Sequence, residues 1–272
     1  MLCGPGEARP AALGAYRRFA ASPPDAFMLC GPRKARPAAL GAYRRFAASP
    51  PDPQVRLFRD RAEAGQRLAE HLARRMPERG SDVVVFGIPR GGVIVARPVA
   101  DALGAALDIV IPRKVGAPEN AEMAVAAVAL AGGEQIVVRD EPTLAYFQVP
   151  DDYVEREAAR QRHEIARRQA AYRRGRAPVP VAGRVAVLVD DGLATGLTAR
   201  AAVQALTRQG PRRTLLAVPV APPEAVSALE REGVQVEVLE IPSPFRAVGR
   251  FYDSFDPVED EAVVAALNTR TG

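Results

Sequence analysis

The chain has 272 residues, 48% hydrophobic and 25% charged, with a net charge of +5. This balance is ordinary for a globular protein and excludes collagen-like, wholly disordered and disulfide-scaffold classes. The longest apolar run, around Met123 to Gly133, is about half the ~20 residues a membrane helix needs, so no membrane partner is expected.

In chain order, the first feature is a repeat. Met1–Phe27 and Met28–Gln54 are near copies, differing only at Gly6/Arg33, Glu7/Lys34, Ala26/Pro53 and Phe27/Gln54. Two units are too few to stack as a solenoid. Each offers one short helical stretch, Ala11–Ala21 or Ala38–Ala48, closed by Ser-Pro-Pro-Asp. Residues 1–54 therefore read as a poorly ordered tandem extension and 55–272 as the functional domain. The extension carries the whole positive excess, so the domain is neutral and no nucleic-acid partner is expected of it. Cys3 and Cys30, the only cysteines, also lie in the extension. The domain thus has no cysteine zinc site and no cysteine nucleophile, and a reducing, cytoplasmic setting fits. The N-terminus lacks the basic-then-apolar pattern of a secretory signal.

From Val55 the pattern alternates. Asp60 to Met76 has helical spacing, with Ala62, Leu68, Leu72 and Met76 as its apolar face. Val83–Phe86 is a short β-branched run, followed by GIPRGG and a helix over Val93–Leu103. Leu107–Ile111, Met123–Leu130 and Gln135–Val138 read as strands, with Pro112–Asn120 as a loop. Asp151 to Arg174 is a long charged helix capped by Asp151 or Asp152. Its Asp152–Arg156 and Glu164–Arg168 spacings suit i, i+4 pairs on a solvated face. Val185–Val189 is a strand, Thr198–Gln209 a helix, Thr214–Val220 a strand, Pro222–Glu232 a helix and Val234–Ile241 a strand. Apolar strands alternating with helices predict a mostly parallel α/β sheet covered on both faces. Ligands of such sheets sit at the carboxyl ends of strands, which directs attention to the loops after Phe86, Ile111 and Val189.

The segment after Val189 reads Asp190-Asp191-Gly192-Leu193-Ala194-Thr195-Gly196-Leu197-Thr198, then helix. A small-residue loop feeding a helix N-terminus offers unpaired N–H groups and the positive end of the helix dipole to an anion. Thr195 and Thr198 add hydroxyl donors. Two carboxylates do not belong beside a bare phosphate, but they accept well from vicinal hydroxyls. A ribose 5-phosphate carries both features. The chain lacks Gly-x-x-x-x-Gly-Lys-Ser/Thr, GIPRGG lacks the Gly-x-Gly-x-x-Gly spacing, and Gly-x-Ser-x-Gly is missing. Triphosphatase, dinucleotide and serine-hydrolase readings are therefore disfavoured. His71 and His163, the only histidines, read as surface residues.

VAVLVDDGLATGLT resembles the signature of type I phosphoribosyltransferases. The chain from Leu57 to Leu267 is similar to a bacterial group of that family marked by GxPRGGV, PRKxGAP, VDDGxATGxT and PFxAVGxFY segments. The resemblance implies a mostly parallel sheet with helices on both faces and a small C-terminal hood. It implies that Asp190 and Asp191 bind the ribose 2- and 3-hydroxyls and that Gly192 to Thr198 bind the 5-phosphate. Leu197 departs from the pattern, since many members have a second glycine there. It implies a pyrophosphate loop at Pro89, Arg90, Gly91 and Gly92, with a cis peptide expected at Pro89-Arg90. A basic pyrophosphate contact is implied on Pro112–Asn120, where Arg113 and Lys114 stand. Lys114 is the only lysine after residue 34 in a chain with 35 arginines, as if a compact charge were needed there. With a one-residue spacing mismatch, Glu240 to Phe255 is similar to the base-stacking segment of hypoxanthine-guanine phosphoribosyltransferases. On that basis Phe245 stacks a planar base and Asp253 faces the base or a metal.

The implied activity is exchange of a nitrogen base, purine-like by preference, for the pyrophosphate of phosphoribosyl pyrophosphate. Mg²⁺ is the implied cofactor, bridging ligand oxygens with Asp190 and Asp191 as indirect partners. The alternatives are a nucleotide-sensing RNA-binding regulator and a non-catalytic member on the same fold. A homodimer is compatible with the sequence, which leaves the oligomeric state open.

Overall fold

The structure is a computed structural model that describes residues 56–268; the expected repeat at 1–54 lies outside them. In chain order the elements are α1 (Arg61–Arg75), β1 (Val83–Gly87), α2 (Gly91–Leu103), β2 (Ala106–Ile109), β3 (Arg113–Ala117), β4 (Asn120–Ala131) and β5 (Glu134–Arg139). There follow α3 (Glu141–Tyr146), α4 (Asp151–Arg173), β6 (Val185–Val189), α5 (Leu197–Thr207), β7 (Arg213–Val220), α6 (Pro223–Arg231), β8 (Gln235–Glu240) and α7 (Asp260–Asn268).

Five strands form one parallel sheet in the order β2-β1-β6-β7-β8. β1 and β6 are buried along their whole length, which is why both read as unbroken apolar runs. Val83 and Val85 join a core with α1 and α2, whereas Val84 and Phe86 join a core with α5 and α6. Helices therefore cover both faces, as expected. The chain runs from β1 outward to β2, then returns to place β6 on the other flank of β1. The strand order reverses between β1 and β6, so the crevice beyond their carboxyl ends is the topological switch point.

Five sequence expectations need correction. The Pro112–Asn120 stretch is not a loop: Arg113–Ala117 is β3, paired antiparallel with β4, with Lys114 opposite Ala127 and Arg113 opposite Val128. β4 and β5 do not extend the parallel sheet; with β3 they form a separate three-stranded antiparallel sheet. Ala127, Ala129 and Ala131 pack with Leu197, Ala201 and Ala205 of α5, while Val128 shares a core with Val154, Ala158 and Ile165 of α4. Alanine dominates β4 because helices press on both its faces. In α1, Ala62 points outward, and Ala64 and Ala69 join Leu68 and Leu72 in the buried face. The α4 N-cap is Pro150, with Asp151 and Asp152 inside the first turn rather than capping. His71 is no free surface residue: its Nε2 lies 2.8 Å from Glu237 Oε2, tying α1 to edge strand β8.

Two further devices hold the site in place. Asp108 of β2 is the one polar side chain among the fully buried described residues. It accepts from Arg173 Nε (3.0 Å), Arg173 Nη2 (3.3 Å) and the Val179 amide (2.9 Å), anchoring the end of α4. The segment after β8 folds back over the sheet's carboxyl edge as the expected hood. The Leu57 and Phe58 amides donate to the Phe251 carbonyl at 2.9 and 3.0 Å, and the Asp253 amide donates to Phe58 O at 2.8 Å. Phe58, Ala64, Val220, Phe251 and Tyr252 close a small apolar core beneath it.

Candidate active site

The two loops singled out by sequence meet at the switch point. The Ile88 amide donates to Val189 O at 2.9 Å, which splices the start of the GIPRGG loop to the end of β6. A Cβ on Gly92 would stand 2.8 Å from Val189 O and from Asp190 Cα, and one on Gly91 would stand 1.9 Å from Asp191 Oδ2. Only bare backbone fits against the paired acids, so the two glycines follow from this close approach. The Pro89-Arg90 peptide is cis, as expected. Arg90 is exposed, and its Nη1 lies 3.7 Å from Asp260 Oδ1 at the start of α7.

Each acid has one oxygen engaged. Asp190 Oδ1 accepts from the Asp191 amide at 2.9 Å, and Asp191 Oδ2 accepts from Arg61 Nε at 2.7 Å. The two carboxyls also meet each other side chain to side chain, a contact that favours a proton on Asp190. Burial, and then the Asp191 carboxylate beside it, push the Asp190 carboxyl well above the usual range. The Asp191 carbonyl accepts from the Tyr252 hydroxyl at 2.6 Å. Burial, then the nearby Asp191 charge, raise that phenol far above its ordinary value.

The following crook delivers the anion site. Gly196 caps α5 from the left-handed region (φ 78°) with no side-chain cap. Thr195 Oγ1 stands 3.5 Å from the Leu197 amide, too far for a firm bond. The first N–H groups of α5 remain for a ligand. Leu193 is used differently: its amide donates to Val220 O at 2.9 Å and its side chain is buried, so it braces the loop. Leu197, the departure from the family pattern, has its side chain in the core against Ala127 and Ala129 while its amide stays at the crook. Gly192 lies under Val248 of the hood, with a Cβ there only 2.6 Å from Val248 Cγ1. Ala194 and Thr195 are exposed on a cavity of about 650 Å³ whose other walls include Pro222, Glu224, Ser243, Phe245 and Arg246. Phe245 packs on Phe251, ring centroids 5.1 Å apart, and turns toward this cavity. Thr198 is half-buried in the first turn of α5.

The remaining candidates divide. Paired residues of an antiparallel sheet share a face, so Lys114 lies on the face of Ala127, which packs against Leu197 at the start of α5. Arg113 lies on the opposite face. Its Nε donates to Gln161 of α4 at 3.0 Å, and burial followed by Arg168 lowers its pKa. Its charge is felt by Tyr172, whose hydroxyl donates to Asp260, the acid beside Arg90. Asp253 does not line the cavity, and its amide is spent on Phe58. Sequence reasoning missed Arg61, Tyr252 and Asp260. Tyr252 lay within the aromatic segment already singled out. Arg61 and Asp260 gave no signal, because their partners are distant in the chain.

No group of three or more His, Cys, Asp or Glu side chains that could hold a metal ion occurs among the described residues. The adjacent Asp190 and Asp191 carboxyls suit an ion that arrives with a polyphosphate ligand, since Mg²⁺ commonly takes one or two carboxylates and completes its shell with phosphates and water. Among the described residues no helix is long and apolar enough to cross a membrane. On α4, Arg156, Arg160, Arg167 and Arg168 each meet an acid of the same helix, including the expected Asp152–Arg156 and Glu164–Arg168 pairs.

Residues 59–250 match the model of the phosphoribosyl transferase domain. Two Mycobacterium tuberculosis relatives, from strains CDC 1551 and H37Rv, carry a provisional phosphoribosyl transferase designation. Each is 39% identical over 79% of this chain and 47% of its own length. The chain therefore spans about half the length of the curated relatives it matches. The crystal structure of TT1426 from Thermus thermophilus is 48% identical, with a TM-score of 0.64, over 77% of this chain and 97% of that one.

Proposed function

We propose, since the chain belongs to the phosphoribosyl transferase family, that it transfers the 5-phosphoribosyl group of phosphoribosyl pyrophosphate to a nitrogen base, purine-like by preference. Residues 55–272 are the functional domain, at work in a reducing cytoplasm that its cysteine-free sequence suits. The observation that carries the reading is the close approach of Gly91 and Gly92 to the carboxyl pair, beside an uncapped helix N-terminus.

On this reading Asp190 and Asp191 bind the ribose 2- and 3-hydroxyls. The amides of Gly192 to Thr198 and the two threonine hydroxyls hold the 5-phosphate, apart from the Leu193 amide, which is committed to Val220. The backbone of Pro89 to Gly92, with Arg90 and Lys114, holds the pyrophosphate; Arg90 exchanges its long, exposed contact with Asp260 for the ligand. Phe245 offers a ring face to the base across the cavity. In the reaction the C1–O bond to pyrophosphate breaks with its electron pair leaving on oxygen. The base nitrogen's lone pair forms the new C1–N bond and its surplus proton passes to solvent. Charge on the sugar builds in the transition state, and on this reading the Asp191 carboxylate beside the ribose stabilises it. Mg²⁺, when bound, would neutralise the departing pyrophosphate, with Asp190 and Asp191 as its nearest protein partners.

Calorimetry with phosphoribosyl pyrophosphate and Mg²⁺ tests the reading. Binding to the wild type and its loss in the double variant Asp190→Asn/Asp191→Asn are expected. Failure of the wild type to bind this compound or any nucleoside monophosphate overturns it. Pyrophosphate release in a screen of purines, pyrimidines and other nitrogen nucleophiles identifies the acceptor. The RNA-binding alternative requires a continuous free arginine face on α4, and the pairing of Arg156, Arg160, Arg167 and Arg168 with acids of that helix speaks against it.

A further inference from the structure

Arg61 opens α1 and is held in three ways. Its Nε donates to Asp191 Oδ2 at 2.7 Å and its Nη1 to Asp256 O at 2.8 Å. Its guanidinium lies over the Phe255 ring, 3.7 Å from the centroid. A Cβ on Gly91 would come within 2.6 Å of its Nε, so the bare glycine makes room for it. The Arg61 and Asp191 side chains are only 12% and 17% exposed. A cation so covered, with its donors already directed at a carboxylate and a carbonyl, is poorly placed to serve as a pyrophosphate ligand itself.

Its geometry instead bears on Asp191. That residue is gripped at both ends: Arg61 takes one carboxylate oxygen, and the Tyr252 hydroxyl takes the main-chain carbonyl. Tyr252, Phe255 and Asp256 all belong to the hood. The hood therefore sets the angle of one of the two carboxylates at the switch point, through a planar, forked cation. An aspartate without such a partner would rotate about its side-chain bonds and offer no fixed acceptor.

We propose that Arg61 is a positioning residue that makes the sugar site selective for an intact vicinal diol. It clamps one oxygen of Asp191 so that the other meets a ribose hydroxyl. This inference rests on the sugar-phosphate reading given above. A planar guanidinium suits the task because it can lie flat on Phe255 while donating in its own plane to Asp191 and Asp256. A lysine in its place could supply the charge but not both in-plane donors.

The test is calorimetry on the full chain with three probes: ribose 5-phosphate, 2-deoxyribose 5-phosphate and inorganic pyrophosphate. The wild type is expected to prefer ribose 5-phosphate over the deoxy compound. In Arg61→Gln, affinity for ribose 5-phosphate should fall on the order of tenfold or more, as for one lost charge-assisted hydrogen bond. The preference for the diol should collapse toward unity, and pyrophosphate binding should be unchanged. Arg61→Lys should restore part of the preference, and Phe255→Leu, which keeps the charge but removes its platform, should lose part of it. Retention of the diol preference in Arg61→Gln and Phe255→Leu overturns the proposal. So does a parallel loss of all three probes in every variant, which marks Arg61 as a structural brace. A wild type that binds no ribose 5-phosphate removes the underlying sugar-phosphate reading and the inference with it, an outcome visible before any variant is made.

Discussion

Gly91→Ala is the sharpest probe of the loop contact. The new methyl carbon would stand 1.9 Å from Asp191 Oδ2 and 2.6 Å from Arg61 Nε. Ordinary contact begins near 3.4 Å, so the carboxylate oxygen must retreat by about 1.5 Å. Both neighbours are side chains that can move, so the strain is released by displacing them, at about 1–3 kcal/mol. In a domain of this size that lowers Tm by roughly 2–4 °C per kcal/mol. The ligand effect is larger in proportion. A hydroxyl-to-carboxylate hydrogen bond is worth about 1.5–3 kcal/mol, so its loss weakens phosphoribosyl pyrophosphate binding by roughly 10- to 150-fold. Gly92→Ala is the control. Its methyl would meet Val189 O and Asp190 Cα at 2.8 Å, both backbone at the end of a buried strand, so it should destabilise more than Gly91→Ala. Thermal denaturation and calorimetry on the two variants rank the effects. Near wild-type binding by Gly91→Ala, or a greater loss of stability in it than in Gly92→Ala, would refute the geometry of the loop contact.

Asp190→Asn should stabilise the chain while abolishing ligand binding. A carboxyl whose pKa is raised by folding costs stability increasingly as pH climbs above its ordinary value. The gain, about 0.5–2 kcal/mol at neutral pH, should therefore shrink toward pH 4, as urea titrations at several pH values would reveal. Asp108→Ala strips the acceptor from Arg173 and the Val179 amide and should cost about 3–5 kcal/mol in the same assay; Asp108→Asn, which keeps an acceptor, should cost less. Burial, then its hydrogen bond to Asp260, push Tyr172 up to about 12, and Tyr252 lies higher still. The unfolded chain releases those protons near pH 10 and the folded chain does not, so stability should fall from about pH 10 upward. Phenolate absorbance should show these two tyrosines ionising only as the fold is lost.

What the sequence made legible was whatever a local pattern determines. β1 and β6 lie between helices on both faces, so each had to be an uninterrupted apolar run. The two acids and the glycine crook stand together in the chain and were readable as a unit. Arg61 was not, because it opens a helix 130 residues before the aspartate it clamps, and only the hood's return over the sheet edge brings them together. His71 looked like a surface residue for the same reason, since nothing in α1 announces that Glu237 of the edge strand will lie against it.

The stretch from Pro112 to Asn120 shows how one local decision changes a functional assignment. It reads as a loop in sequence, and the family resemblance implies a basic pyrophosphate contact on it, where Arg113 and Lys114 stand; a loop would let both side chains reach one target. Pairing with β4 makes Arg113–Ala117 a strand instead. Side chains of a strand alternate between faces, so adjacent residues cannot both look toward the start of α5. Arg113 goes to α4 and bonds Gln161, and Lys114 takes the face that meets Leu197. The alternation turns two equivalent candidates into an ordered pair: Lys114→Ala should weaken pyrophosphate binding, and Arg113→Ala should weaken it less while loosening α4. Equal losses in the two variants would mean that the ribbon leaves this register when ligand binds.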